Sequence, residues 1–175
     1  MALKRRSLIV LIGLTSSIAA GVLASPAGAA SPNMTCASTQ RTTYSPGVTL
    51  LPSQQTIQNS SIASPCVSSS HPAITSGTAG FTTHGIRSCL TLDQIGGGTA
   101  GILWNTGQTT TYVYNSSTQT VGGQIVLTII GTVTGGVFQG RSISFVIVSP
   151  SLNLANCLIP PGITSRLGVG TLTIA

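Results

Sequence analysis

The sequence predicts an all-β domain: an antiparallel β-sandwich or barrel-like domain of about eight short strands, stabilised by disulfides. Three observations carry this. Residues 123–149, GQIVLTIIGTVTGGVFQGRSISFVIVS, alternate apolar and polar positions with β-branched enrichment, the period of a half-buried strand. Gly and Pro turns punctuate the whole chain, and no helical period persists for three turns beyond the N-terminal leader. Four cysteines, Cys36, Cys66, Cys89 and Cys157, form an even set in a chain that carries an export signal.

The leader comes first. Lys4, Arg5 and Arg6 precede an apolar run from Leu8 to Leu23, and Ala27-Gly28-Ala29 supplies small residues for cleavage. Residues 1–29 therefore read as a signal peptide with cleavage near Ala29, and residues 30–175 as one secreted all-β domain. Arg5-Arg6 leaves the general and the twin-arginine export routes both open. No second run of apolar residues is long enough to span a membrane as a helix.

Thr35 to Tyr44 reads as a first strand, closed by Ser45-Pro46-Gly47. Val48 to Ile62 is polar with few apolar anchors, an edge strand or a long loop containing one. Cys66 to Pro72 reads as a polar loop, and Ile74 to Leu92 as one strand or two, broken by Gly77, Gly80 and Gly85. Gly96-Gly97-Gly98 then reads as a flexible point dividing the domain into halves.

Ala100 to Trp104 and Thr109 to Tyr114 flank the turn residues Asn105-Thr106-Gly107, a hairpin signal. In the central stretch a turn at Gly135-Gly136 needs one extra residue to bring the apolar faces together. That register sets Ile129 opposite Ile143, Leu127 opposite Phe145 and Ile125 opposite Ile147. Ser149 to Pro161 is an irregular connection, and Leu167 to Ile174 a terminal strand. Pro72-Ala73-Ile74-Thr75-Ser76 is echoed by Pro161-Gly162-Ile163-Thr164-Ser165, each following a cysteine and leading into a Gly-spaced strand.

The formal net charge of +6 falls to +3 once the leader's three cations are removed, leaving Arg41, Arg87, Arg141 and Arg166 against Asp93. Four scattered arginines do not form the clustered patch that nucleic acid requires, so no nucleic-acid partner is expected. A single acidic residue excludes the paired-carboxylate mechanism and an acidic metal site. The mature chain contains no lysine, which removes Schiff-base chemistry. No cofactor is expected, and no metal, because the cysteines lack the close spacing of a zinc site.

A Ser/His/Asp hydrolase would need His71 or His84 beside a serine, and the chain lacks a Gly-x-Ser-x-Gly elbow. The four cysteines are expected as two disulfides; three connectivities are possible, of which Cys66 with Cys157 and Cys36 with Cys89 is preferred. Trp104, Tyr112 and Tyr114 can share one face of their hairpin. They either pack in the core or form a platform stacking on a sugar ring.

The leader, the Ser45-Pro46-Gly47 turn, GILWNTGQT at 101–109, GTVTGGVFQG at 131–140 and NCLIPPGITSRLGVGTLTI at 156–174 resemble a group of small secreted actinobacterial, Streptomyces-like β-rich proteins of unknown function. The resemblance implies an exported β-sandwich-like protein and brings no catalytic or binding residues. The expectation is a secreted, non-enzymatic protein that binds cell-wall or extracellular glycan through Trp104, Tyr112 and Tyr114. A self-associating structural protein of the extracellular layer is the rival, and a small serine hydrolase the third reading.

Overall fold

The computed structural model describes residues 33–92 and 96–175. The leader at 1–29 and Asp93 lie outside the described residues. Eight strands follow one another: β1 (Met34–Val48), β2 (Ser53–Ser68), β3 (Gly77–Arg87), β4 (Gly98–Trp104), β5 (Thr109–Val121), β6 (Gln124–Gly136), β7 (Ser142–Pro150) and β8 (Ile163–Ile174). Each pairs antiparallel with the next and β8 returns to β1, so the sheet closes as a barrel. Closure satisfies the backbone of both terminal strands and leaves neither as a free edge.

The period-two pattern sets which side chains enter the barrel. On β1, Met34, Cys36, Ser38 and Tyr44 are buried while Thr35, Ala37, Thr39 and Arg41 face out. Strands β1 and β2 are longer than the sequence reading expected. β1 runs on through Ser45-Pro46-Gly47, and the polar segment after Val48 yields a full strand paired to β1 from Ser45↔Thr56 to Met34↔Ser68. Gln54, Gln58 and Ser60 supply its outer face, while Gln55, Ile57, Asn59 and Ala63 take the inward phase.

Two apolar clusters occupy the barrel. The first gathers Met34, Ile74, Trp104, Phe138, Ile143 and Ile174 at one end. There Asn105 ties the β2–β3 connection to the β4–β5 turn: its Oδ1 accepts from the Thr75 and Ser76 amides and its Nδ2 donates to the Ala73 carbonyl. The second gathers Tyr44, Val48, Ile57, Leu92 and Ile163 around Cys89 and Cys157. The echoed segments serve opposite clusters: Ile74 seals the first and Ile163 the second.

The disulfides are Cys36–Cys66 and Cys89–Cys157, not the expected Cys66–Cys157 and Cys36–Cys89. Geometry enforces the correction. Cys36 and Cys66 are cross-strand partners on β1 and β2, with Cα atoms 4.0 Å apart. Cys89 contacts the carbonyl of Val48, at the far end of β1. The extended chain from Cys36 to Val48 spans roughly 40 Å, whereas a disulfide requires Cα atoms within roughly 7 Å. Cys89–Cys157 instead clasps the β3–β4 connection to the short 3₁₀ turn Leu154–Cys157 between β7 and β8.

The central hairpin keeps the expected faces with a register shifted by two residues. Ile129 lies opposite Phe145, Leu127 opposite Ile147 and Ile125 opposite Ser149. Gly135 and Gly136 are not the turn; they extend β6 along β5, opposite Thr111 and Thr110. The chain reverses around Phe138, whose φ of 68° lies in the left-handed region, and Arg141 closes the reversal by donating to the Phe138 carbonyl. Burial of the Phe138 ring beside Trp104 and His71 holds that conformation.

One seam is short. β3 pairs with β2 from Ala63↔Gly77 to Ser53↔Arg87 but with β4 only at Gly77↔Trp104 and Thr78↔Leu103. Beyond Thr78 the wall parts between β3 and β4. Gly96-Gly97-Gly98 leads back into β4 beside β5, with Ser116 Oγ donating to the Gly96 carbonyl, so the triplet sits in one continuous barrel and does not divide it into halves.

Candidate functional site

Between the two clusters the barrel is not filled. A cavity of about 180 Å³ lies there, joined at Gln40, Asn59, Phe81, Tyr114 and Ile129 to a second chamber of about 50 Å³ that runs beside the parted seam at Gly80 and Gly101. Strand phase builds its walls. Ile125, Leu127 and Ile129 of β6 form an apolar floor, while Gln40 and Thr42 of β1 and Asn59 of β2 form a polar wall. Phe81 and Thr83 of β3 stand on one side of the seam and Tyr114, Ser116 and Thr118 of β5 on the other.

Asn59 is braced within its own wall. Its Nδ2 donates to Thr42 Oγ1 at 3.0 Å, and its Oδ1 accepts from Ser61 Oγ at 3.5 Å. Arg87 and Arg166 also line the larger chamber, and the Arg166 guanidinium donates to Ser149 Oγ at 3.4 Å. Among the described residues no carboxylate lines either chamber.

The three aromatic residues expected as a sugar platform are not together on the surface. Trp104 is 2% exposed, in the first cluster, with its Nε1 donating to Thr110 Oγ1 at 2.8 Å. Thr110 passes the contact on, donating to the Val137 carbonyl at 2.8 Å. Tyr112 is 5% exposed, its ring stacked against Phe145 at 6.1 Å. These two rings present no open face to a polymer. Tyr114 alone is half-buried and lines both chambers, its ring centre 5.8 Å from that of Tyr112.

Burial pushes the Tyr112 hydroxyl up to about 12, and the neighbouring Tyr114 adds to the shift. The consequence for stability has a definite sign. An unfolded tyrosine ionises near 10, so Tyr112 favours the folded state fully below that pH and the advantage is lost as pH rises through about 12. Urea denaturation between pH 9 and pH 12 is expected to show a loss of about 2 kcal/mol that is absent from Tyr112→Phe. Parallel pH profiles for the two proteins would contradict it.

The histidines stand apart from the cavity. His71 Nδ1 lies 2.9 Å from Ser70 Oγ, and its ring meets Phe138 edge-on at 4.7 Å. His84 Nδ1 lies 3.2 Å from Thr56 Oγ1 on the outer wall. Among the described residues neither histidine has a carboxylate to orient it, and no three His, Cys, Asp or Glu residues cluster around a common point.

Sequence reasoning missed the polar wall, although its signal was present. Gln40, Thr42 and Asn59 fall on the inward phase set by Cys36, Tyr44 and Ile57, where an ordinary core would carry apolar side chains. Compared with known proteins, the chain matches no family model, no curated protein and no solved structure.

Proposed function

We propose that this chain is an exported, non-enzymatic binding protein that receives a small, mostly apolar molecule inside the barrel through the parted seam between β3 and β4. The observation that carries the reading is the unfilled interior lying against a seam closed by only two residue pairs. Well-packed barrels of this size fill their interior with side chains or hold one small ligand. Here Gln40 and Thr42 take inward positions that larger apolar residues would otherwise fill. The apolar floor supplies affinity by desolvation, and the polar wall supplies orientation.

The export leader and the two disulfides support an oxidising compartment. The earlier expectation of a surface glycan site loses support because Trp104 and Tyr112 are committed to packing.

The test uses naphthalene as an uncharged probe, detected by saturation-transfer NMR on the oxidised protein. Transfer is expected with the wild type and is expected to vanish in Ile129→Trp, where an indole fills the junction of the chambers. Circular dichroism and the melting temperature establish that the variant is folded. Absence of transfer to the wild type, or equal transfer to a folded Ile129→Trp, would rule the reading out.

A further inference from the structure

The polar wall contains an unused hydrogen-bonding group. Gln40 lines both chambers and is half-buried, and among the described residues no hydrogen bond engages its carboxamide. Its cross-strand neighbours leave it open: Gly168 on β8 carries no side chain, and Ser61 on β2 is turned to Asn59. Two residues along the same inward row, Ser38 Oγ is buried and also without a partner. The Gln40 amide faces the cavity, where water in the free protein, or the donor and acceptor of a ligand, can meet it.

Resting on the binding reading above, we infer that Gln40 is the specificity-determining residue of the cavity. Its ligand is an uncharged ring compound carrying a hydrogen-bond donor and acceptor side by side, as a lactam or cyclic cis-amide does. A primary carboxamide holds one of its two N–H groups syn to its carbonyl oxygen in a common plane, so a cis-amide meets that donor and acceptor at once. A ring of the same shape without those groups leaves the Gln40 amide unpaired.

The surrounding chemistry selects the rest of the molecule. Phe81 and Tyr114 line the larger chamber above the apolar floor of Ile125, Leu127 and Ile129, which suits a flat ring. The smaller chamber is lined by the buried Tyr112, whose ionisation burial suppresses, so it is a poor environment for a charged group. Arg87 and Arg166 in the larger chamber oppose a cation. A neutral ligand remains.

The experiment compares two bicyclic probes of equal outline, 2-quinolinone and naphthalene, titrated into the oxidised protein by NMR. The wild type is expected to bind 2-quinolinone about tenfold more tightly, the effect of two added hydrogen bonds. Gln40→Met keeps the length and unbranched shape of the side chain but neither hydrogen-bonding group. It is expected to bring the ratio close to one.

Equal affinities in the wild type, or a preference that survives in Gln40→Met, would overturn the inference about Gln40 while the cavity itself stood, since naphthalene would still bind. If neither probe bound, the binding reading would fall and this inference with it.

Discussion

Replacing Trp104 with Ala is expected to lower the unfolding free energy by about 3–5 kcal/mol, the range for truncating a large buried aromatic side chain. Trp104 is among the largest fully buried side chains in the barrel, and its removal opens a void between Ile102, Phe138 and the tight backbone at Gly77. A Cβ on Gly77 would lie 2.5 Å from the indole, so that wall is already in contact and cannot shrink onto the void without moving β3. The substitution also deprives Thr110 Oγ1 of its donor in a site where water is scarce. Guanidinium denaturation of the oxidised proteins measures the difference. A loss below about 1 kcal/mol, the ordinary scale of a surface change, would show that the ring does not carry the packing assigned to it.

The second large effect concerns the bridge between the two loops. Cys89→Ser with Cys157→Ser is expected to cost about 4 kcal/mol, and Cys36→Ser with Cys66→Ser about 3.5 kcal/mol, on the chain-entropy account of cross-links. The order follows from sequence separations of 68 and 30 residues. Context widens the gap. Cys36 and Cys66 join strands that their ladder already pairs, whereas Cys89–Cys157 ties two irregular connections over the second cluster. Leu92 lies close along the chain to that bridge and lines the cavity, so its release would also loosen the larger chamber. Denaturation of both double variants without reductant checks the order, and a greater loss from the Cys36/Cys66 pair would contradict it.

The all-β class was legible because period-two alternation, turn residues and paired cysteines act locally. Faces were legible for the same reason: Ile125, Leu127, Ile129, Phe145 and Ile147 all point inward as their spacing implied. The β6–β7 register was not. A shift of two residues preserves every face, so the alternation cannot distinguish Ile129 opposite Ile143 from Ile129 opposite Phe145. The choice was made by Phe138, whose burial against Trp104 depends on residues more than thirty positions away in sequence.

The disulfide pairing escaped for a related reason, since it requires knowing which strand ends share a pole of the barrel. The candidate site was legible only in part. Tyr114 could be named from its type, but the choice between core and surface for Trp104 and Tyr112 depends on closure of the sheet. Gln40 and Asn59 looked like ordinary polar residues in a Ser/Thr-rich chain until strand phase turned them inward.

The ladder from Met34↔Ile174 to Thr43↔Ser165 joins the first strand to the last. During synthesis the opening strand must therefore wait, unpaired along one side, until β8 has been made. Every route to the native state contains that distant encounter, and its loop-closure entropy has to be met before the final ladder returns any energy. Maturation should accordingly be slow beside that of helical domains of equal length. The interval before closure, with β1 exposing a bare edge, is when the chain is most vulnerable to pairing with a neighbour.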